Sequence, residues 1–169
     1  MSDRLTVRLA RPDELDQVGR LTLETYVADG YANPAGSYAA ALADAPRRAR
    51  DAELLVAADP DGMVLGTITV CTPASPLGAL CRPDELEFRM LAVAPDARRR
   101  GVGQALVVAV LQRATEVGAH RVVLCSAEEM CAAHRLYARL GFVRLPERDW
   151  QPVPDMTLLA FGKTTMRPG

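Results

Sequence analysis

The stretch MLAVAPDARRRGVGQAL, residues 90–106, decides how the chain is read. An apolar, strand-like run ends at Pro95. Arg98, Arg99 and Arg100 follow, then Gly101-Val102-Gly103, and a long apolar segment with the length of a helix begins. The first turn of a helix carries unpaired N–H groups and the positive end of the helix dipole. It is therefore suited to an anion, phosphate above all. Gly101 and Gly103 would admit close backbone approach, and the arginines would add attraction. On spacing alone, a tight strand-to-helix turn with solvated arginines fits equally well. A dinucleotide fingerprint is excluded by the glycine spacing. GKT at residues 162–164 lacks the upstream glycine of a P-loop.

Working outward, LTVRLARP alternates like a strand, and PDELDQVGRLTLETYVADG reads as a helix stopping near Gly30. SYAAALADAPRRARDA reads as a second helix, broken or ended near Pro46. ELLVAA and VLGTITVC are strands joined by the hairpin signal DPDG. LEFRMLAVA is the next strand. GVGQALVVAVLQRATEVG is a helix with Gly118 as its stop, apolar nearly all round and so expected to be buried. RVVLCS, EEMCAAHRLYARLG, FVRLP and MTLLAFGK follow as strand, helix, strand and strand, with ERDWQPVPD a loop. The order predicts an α/β (α+β mixed) fold: a mixed sheet of six to seven strands with helices on both faces, in one domain over residues 1–169.

Composition narrows the function. The 169 residues are 49% hydrophobic and 24% charged, with 20 basic residues against 21 acidic ones. That balance argues against nucleic acid as a partner, because phosphate backbones call for a broad basic face. The start, MSDRLTVRLARPDELDQ, has no apolar run for secretion, and ALVVAVL is too short to cross a membrane. Cys71, Cys81, Cys125 and Cys131 show no CxxC, and only His120 and His134 could join them, so reduced thiols and no metal are expected. A cytoplasmic location is the expectation.

RRRGVG, preceded by LAVAPDA, and AAHRLYARLGFVRLPERDW together resemble the GNAT superfamily of N-acetyltransferases. The resemblance covers nearly the whole chain. It implies a GNAT-like fold with a splayed central strand pair, and acetyl-CoA as co-substrate. The amides of Arg98, Arg99, Arg100, Gly101, Val102, Gly103 and Gln104 would cradle the pyrophosphate. A bulge near Leu91, Ala92 and Val93 would free backbone groups for the pantetheine arm, and the Leu91 amide would stabilise the oxyanion. Many relatives have an asparagine where this chain has Met130, which removes one coenzyme contact.

Acetyl transfer needs a neutral amine, so a base must take its proton, and the leaving thiolate needs an acid. Strand alternation puts Glu87, Arg89 and Leu91 on one face of LEFRMLAVA, which makes Glu87 the candidate base. The plainer alternative is an exposed carboxylate paired with Arg89. The resemblance makes Tyr137 the candidate acid. His134 reads as a surface residue and Cys125 as buried.

By the same resemblance the acceptor enters between the first two helices and the loop joining the last two strands. Tyr26, Tyr31 and Trp150, with Tyr38, Glu24, Arg148 and Asp149, belong to those parts. The reading is an N-acetyltransferase acting directly on a primary amine of a small molecule or peptide, as monomer or homodimer. The rivals are a non-catalytic acyl-CoA-binding or sensing domain on the same fold, and a phosphate-ligand or RNA-binding module.

Overall fold

The computed structural model describes residues 4–165. They form two compact units, 4–70 with 90–109 and 71–89 with 110–165. No helix among the described residues is long and apolar enough to cross a membrane.

In the first unit, β1 (Thr6–Leu9), β2 (Glu53–Ala58) and β3 (Val64–Cys71) form antiparallel ladders. The DPDG hairpin forms as expected. Asp59 accepts the amides of Asp61 and Met63 at 3.0 and 2.9 Å, and Gly62 takes φ +84°. Helix α1 (Leu15–Ala28) and the pair α2 (Ser37–Ala43) and α3 (Ala45–Asp51) fill the long β1–β2 connection. The break falls at Asp44, whose carboxylate caps α3 by accepting the Arg47 amide at 3.1 Å. Val18, Ala45, Leu54, Val56 and Val64 make this unit's core.

Strand β4 (Glu85–Val93) runs from the second unit into the first. Its end is fixed in the first unit: the Ala94 amide donates to the Leu65 carbonyl at 2.8 Å. Gly66 makes this approach possible. A Cβ there would lie 2.7 Å from Val102 Cγ1 and 3.0 Å from the Ala92 carbonyl oxygen. Helix α4 (Val102–Glu116) therefore starts close against β3. Val102, Leu106, Val107, Val110 and Ala114 are its buried stripe. Gln104, Gln112, Thr115 and Glu116 are exposed, so the helix is not buried all round. Gly118, at φ +76°, stops it as expected.

In the second unit β4 pairs in parallel with β5 (Arg121–Ala127), which pairs antiparallel with β8 (Met156–Thr164). Strand β6 (Val143–Arg144) and strand β7 (Trp150–Val153) also pair with β8. Strand β7 was expected as loop; Pro152 disguises it, and proline is tolerated in such a peripheral strand. The described residues thus hold eight strands, one more than the longest expectation. Helix α5 (Cys131–Arg139) closes the unit, and Tyr137 packs with Phe88, Phe142 and Phe161 at ring separations of 5.7 to 6.0 Å.

Candidate active site

The loop ahead of α4 belongs wholly to the first unit. Arg99 (φ +66°) and Gly101 (φ +76°) are left-handed, whereas Arg98 has φ −65°. Arg98 is extended (ψ 153°), so Arg98 and Arg99 form a turn, a backbone shape able to present amides to an anion. The Ala105 amide bonds the Gly101 carbonyl at 2.9 Å and opens the helical ladder. The amides of Val102, Gly103 and Gln104 precede it. A Cβ on Gly101 would meet nothing within 4 Å, so the space beside the loop is open. A pyrophosphate fits these donors. Arg98 also binds Asp29, just past α1, at 2.6 Å.

The bulge expected near Leu91, Ala92 and Val93 starts earlier. The parallel ladder joins Glu85, Leu86 and Glu87 to Arg121, Val122 and Val123. Met90 then takes φ +55°. A β-strand cannot keep its two-residue alternation through a left-handed residue, so Leu91 does not inherit the face of Glu87 and Arg89.

The second unit divides its functional residues between two faces. Phe88 meets Tyr137 of α5, and Ser126 of β5 meets His134 of the same helix. Glu87 and Cys125 are of opposite parity to these, yet the Cys125 charge still reaches the Tyr137 hydroxyl. Burial holds the Tyr137 hydroxyl well above its usual range, so it stays protonated. His134 is not a surface residue. Its Nε2 lies 3.1 Å from Ser126 Oγ, its ring is 5.1 Å from that of Phe161, and burial lowers its pKa. Met130 caps α5 and its sulfur accepts from Ser126 Oγ at 3.5 Å.

On the other face Glu87 is wholly buried and is not paired with Arg89. Its Oε1 accepts the amides of Ala79, Leu80 and Cys81 at 2.9, 2.8 and 2.9 Å; Oε2 accepts only the Ala79 amide, at 3.2 Å. Cys125 lies on this face. Burial raises its pKa, the negative charge of Glu87 adds to the rise, and Trp150 and the Arg89 charge oppose it. Glu87, Arg89 and Trp150 thus all act on one thiol. Arg148 and Asp149 are tied into the fold: Arg148 to Glu85 and the Leu80 carbonyl, Asp149 to Arg144 and the Ala160 amide. Tyr26 and Tyr31 cluster in the first unit with Tyr38, at ring separations of 6.5 and 6.2 Å from Tyr26.

The model of the Acetyltransferase (GNAT) family matches residues 17–142, which contain the anion loop, Glu87, Cys125 and Tyr137. The chain belongs to the GNAT family. Among its relatives, a mycothiol acetyltransferase of Arthrobacter sp. (strain FB24) is 38% identical over 93 residues, 55% of this chain and 28% of the relative. An uncharacterized N-acetyltransferase of Schizosaccharomyces pombe is 29% identical over 106 residues, 63% of this chain and 61% of its own. The GNAT chain thus spans 28% and 61% of these two curated relatives, less than two thirds of either. Among solved structures, a GNAT acetyltransferase from Staphylococcus aureus Mu50 superposes with a TM-score of 0.76 at 12% identity, covering 96% of this chain and 100% of its own. A GCN5-related N-acetyltransferase from Kribbella flavida gives 0.68 at 25%, covering 95% and 97%. These likenesses carry the GNAT fold.

Proposed function

We propose that this protein is an acetyl-CoA-dependent N-acetyltransferase that moves the acetyl group directly to a primary amine of a small molecule or peptide. The observation that carries the reading is the left-handed pair Arg99 and Gly101 at the mouth of α4. It supports a pyrophosphate seat on the amides of Arg98 to Gln104. A solved relative, a phosphinothricin acetyltransferase from Sinorhizobium meliloti, is in complex with acetyl-CoA. The coenzyme would supply an activated acetyl thioester.

In the reaction an N–C bond forms and the C–S bond breaks; one proton leaves nitrogen and one arrives at sulfur. Tyr137, kept protonated by burial, is the donor to sulfur. Glu87 is the acceptor of the amine proton, through Oε2, the oxygen that carries a single long bond. The amide of Leu91 polarises the carbonyl, and the backbone of Leu91, Ala92 and Val93 pairs with the pantetheine arm. Tyr26, Tyr31 and Trp150 contact the acceptor.

The test is thiol release from acetyl-CoA over a panel of amines, amino acids and peptides, with a protein-only blank for the four cysteines. Acceptor-dependent release, slowed in Tyr137→Phe, is expected. Coenzyme binding with no release on any acceptor would favour a sensing domain instead.

A further inference from the structure

We propose that the amine acceptor also carries a carboxylate, and that Arg89 of β4 receives it. This rests on the acetyltransferase reading and names the substrate class of that site.

The argument is a charge account along one face of β4. Glu85, Glu87 and Arg89 alternate onto it. Glu85 is neutralised by Arg148, whose two terminal nitrogens lie 3.0 and 2.9 Å from its oxygens. Glu87 is satisfied by three loop amides. Arg89 is half-buried and makes one hydrogen bond, from one terminal nitrogen to the Leu77 carbonyl at 2.7 Å. Among the described residues no carboxylate lies within ion-pair distance of it, and its Nε and second terminal nitrogen have no partner. The anionic neighbour on its own strand face is already spoken for.

A partly buried guanidinium without a counter-ion is costly, and its free edge is a planar two-donor fork that matches a carboxylate. Its position gives the fork a purpose. The charge of Arg89 reaches Cys125, as does that of Glu87, and Trp150 acts on the same thiol. Residues two apart on a strand are separated by about 7 Å. A carboxylate and an amine borne on one carbon cover that span once a hydrogen bond is added at each end. A carboxylate on Arg89 therefore leaves the amine facing Glu87. The class is the α-amino acid and its close analogues.

The experiment uses the full chain and α-amino acids, each beside its carboxamide and its decarboxylated amine. Steady-state thiol release gives kcat/KM. The single tryptophan, Trp150, gives a binding signal that needs no turnover. Acetyl-CoA binding is measured by calorimetry on the same samples. The free acids should be preferred roughly ten- to hundredfold over their carboxamides in both readouts, as expected for charge-assisted bonds. Arg89→Gln should bring that ratio close to one, and Arg89→Lys should restore part of it. Equal use of acid and carboxamide, a preference that survives Arg89→Gln, or no fluorescence response to any acid would each overturn the proposal. If the coenzyme fails to bind, the acetyltransferase reading fails; if it binds and the acid preference is absent, only the assignment of Arg89 fails.

Discussion

Arg148 and Glu85, 63 positions apart in the chain, form a buried two-bond ion pair, with 7% and 3% of their surfaces exposed. Arg148 also donates to the Leu80 carbonyl, whose own amide is held by Glu87. Residues 77–82 have no regular structure, yet side chains grip them at Leu77, Ala79, Leu80, Cys81 and Arg82. Removing one partner strands a buried charge, which costs about 3–5 kcal/mol. Arg148→Met should therefore lose most of that in denaturant unfolding, and Glu85→Gln with Arg148→Met should lose clearly less than the single change.

Acid should weaken the fold over a defined range. The Arg8 guanidinium, bonded to Glu14 at 2.7 Å, brings the Glu14 carboxyl from near 4.5 down to about 2. A carboxylate whose folded pKa is depressed contributes stability above its unfolded pKa and loses it as pH falls through the folded one. Glu85 is shifted the same way: burial acts to raise its pKa, and its bonds from Arg148 and the Arg82 amide, with the charges of Arg148 and Arg121, together more than offset this. Stability should fall from about pH 4.5 to about pH 2, and Glu14→Gln should flatten the upper part of that decline in urea unfolding at stepped pH.

The thiols should separate by exposure. Burial pushes Cys71 to about 11 and Cys81 to about 12, with the Glu87 charge adding to both. Cys131 is exposed. The thiolate is the reactive form, so at pH 8 Cys131 should react first with a disulfide reagent. The other three should follow only with unfolding. A fast reaction of two or more thiols, or one surviving in Cys131→Ser, would contradict this burial pattern.

Gly66 and Gly101 should fail differently. Gly66→Ala must displace Val102 or the Ala92 carbonyl, and overpacking of this kind costs about 1–3 kcal/mol. Gly101→Ala meets no neighbour but must hold φ +76°, at about 1–2 kcal/mol. The first should lower the melting temperature and coenzyme affinity together. The second should act chiefly on affinity, because the added methyl also occupies the open side of the loop.

Much of this was legible in the chain. The hairpin, the helix break near Pro46 and the stop at Gly118 each rest on local chemistry: turn residues, a proline, a glycine of positive φ. The remainder depends on distant partners. Charged residues read as solvated, so the burial of Glu87, Glu85 and Arg148 was not visible; each depends on a loop returning to the strand. Met90 gives no local sign of its φ of +55°, which glycine would have advertised. His134 read as a surface residue because Ser126, its partner, is on a different element.

The central claim is that the 98–104 loop seats a pyrophosphate. Calorimetric titration of the protein with acetyl-CoA, beside acetyl-phosphopantetheine, which lacks the pyrophosphate, tests it most directly. The account predicts saturable acetyl-CoA binding, weakened by salt, with the truncated analogue at least roughly tenfold weaker. Equal affinity for the two, or no binding of acetyl-CoA, would contradict it.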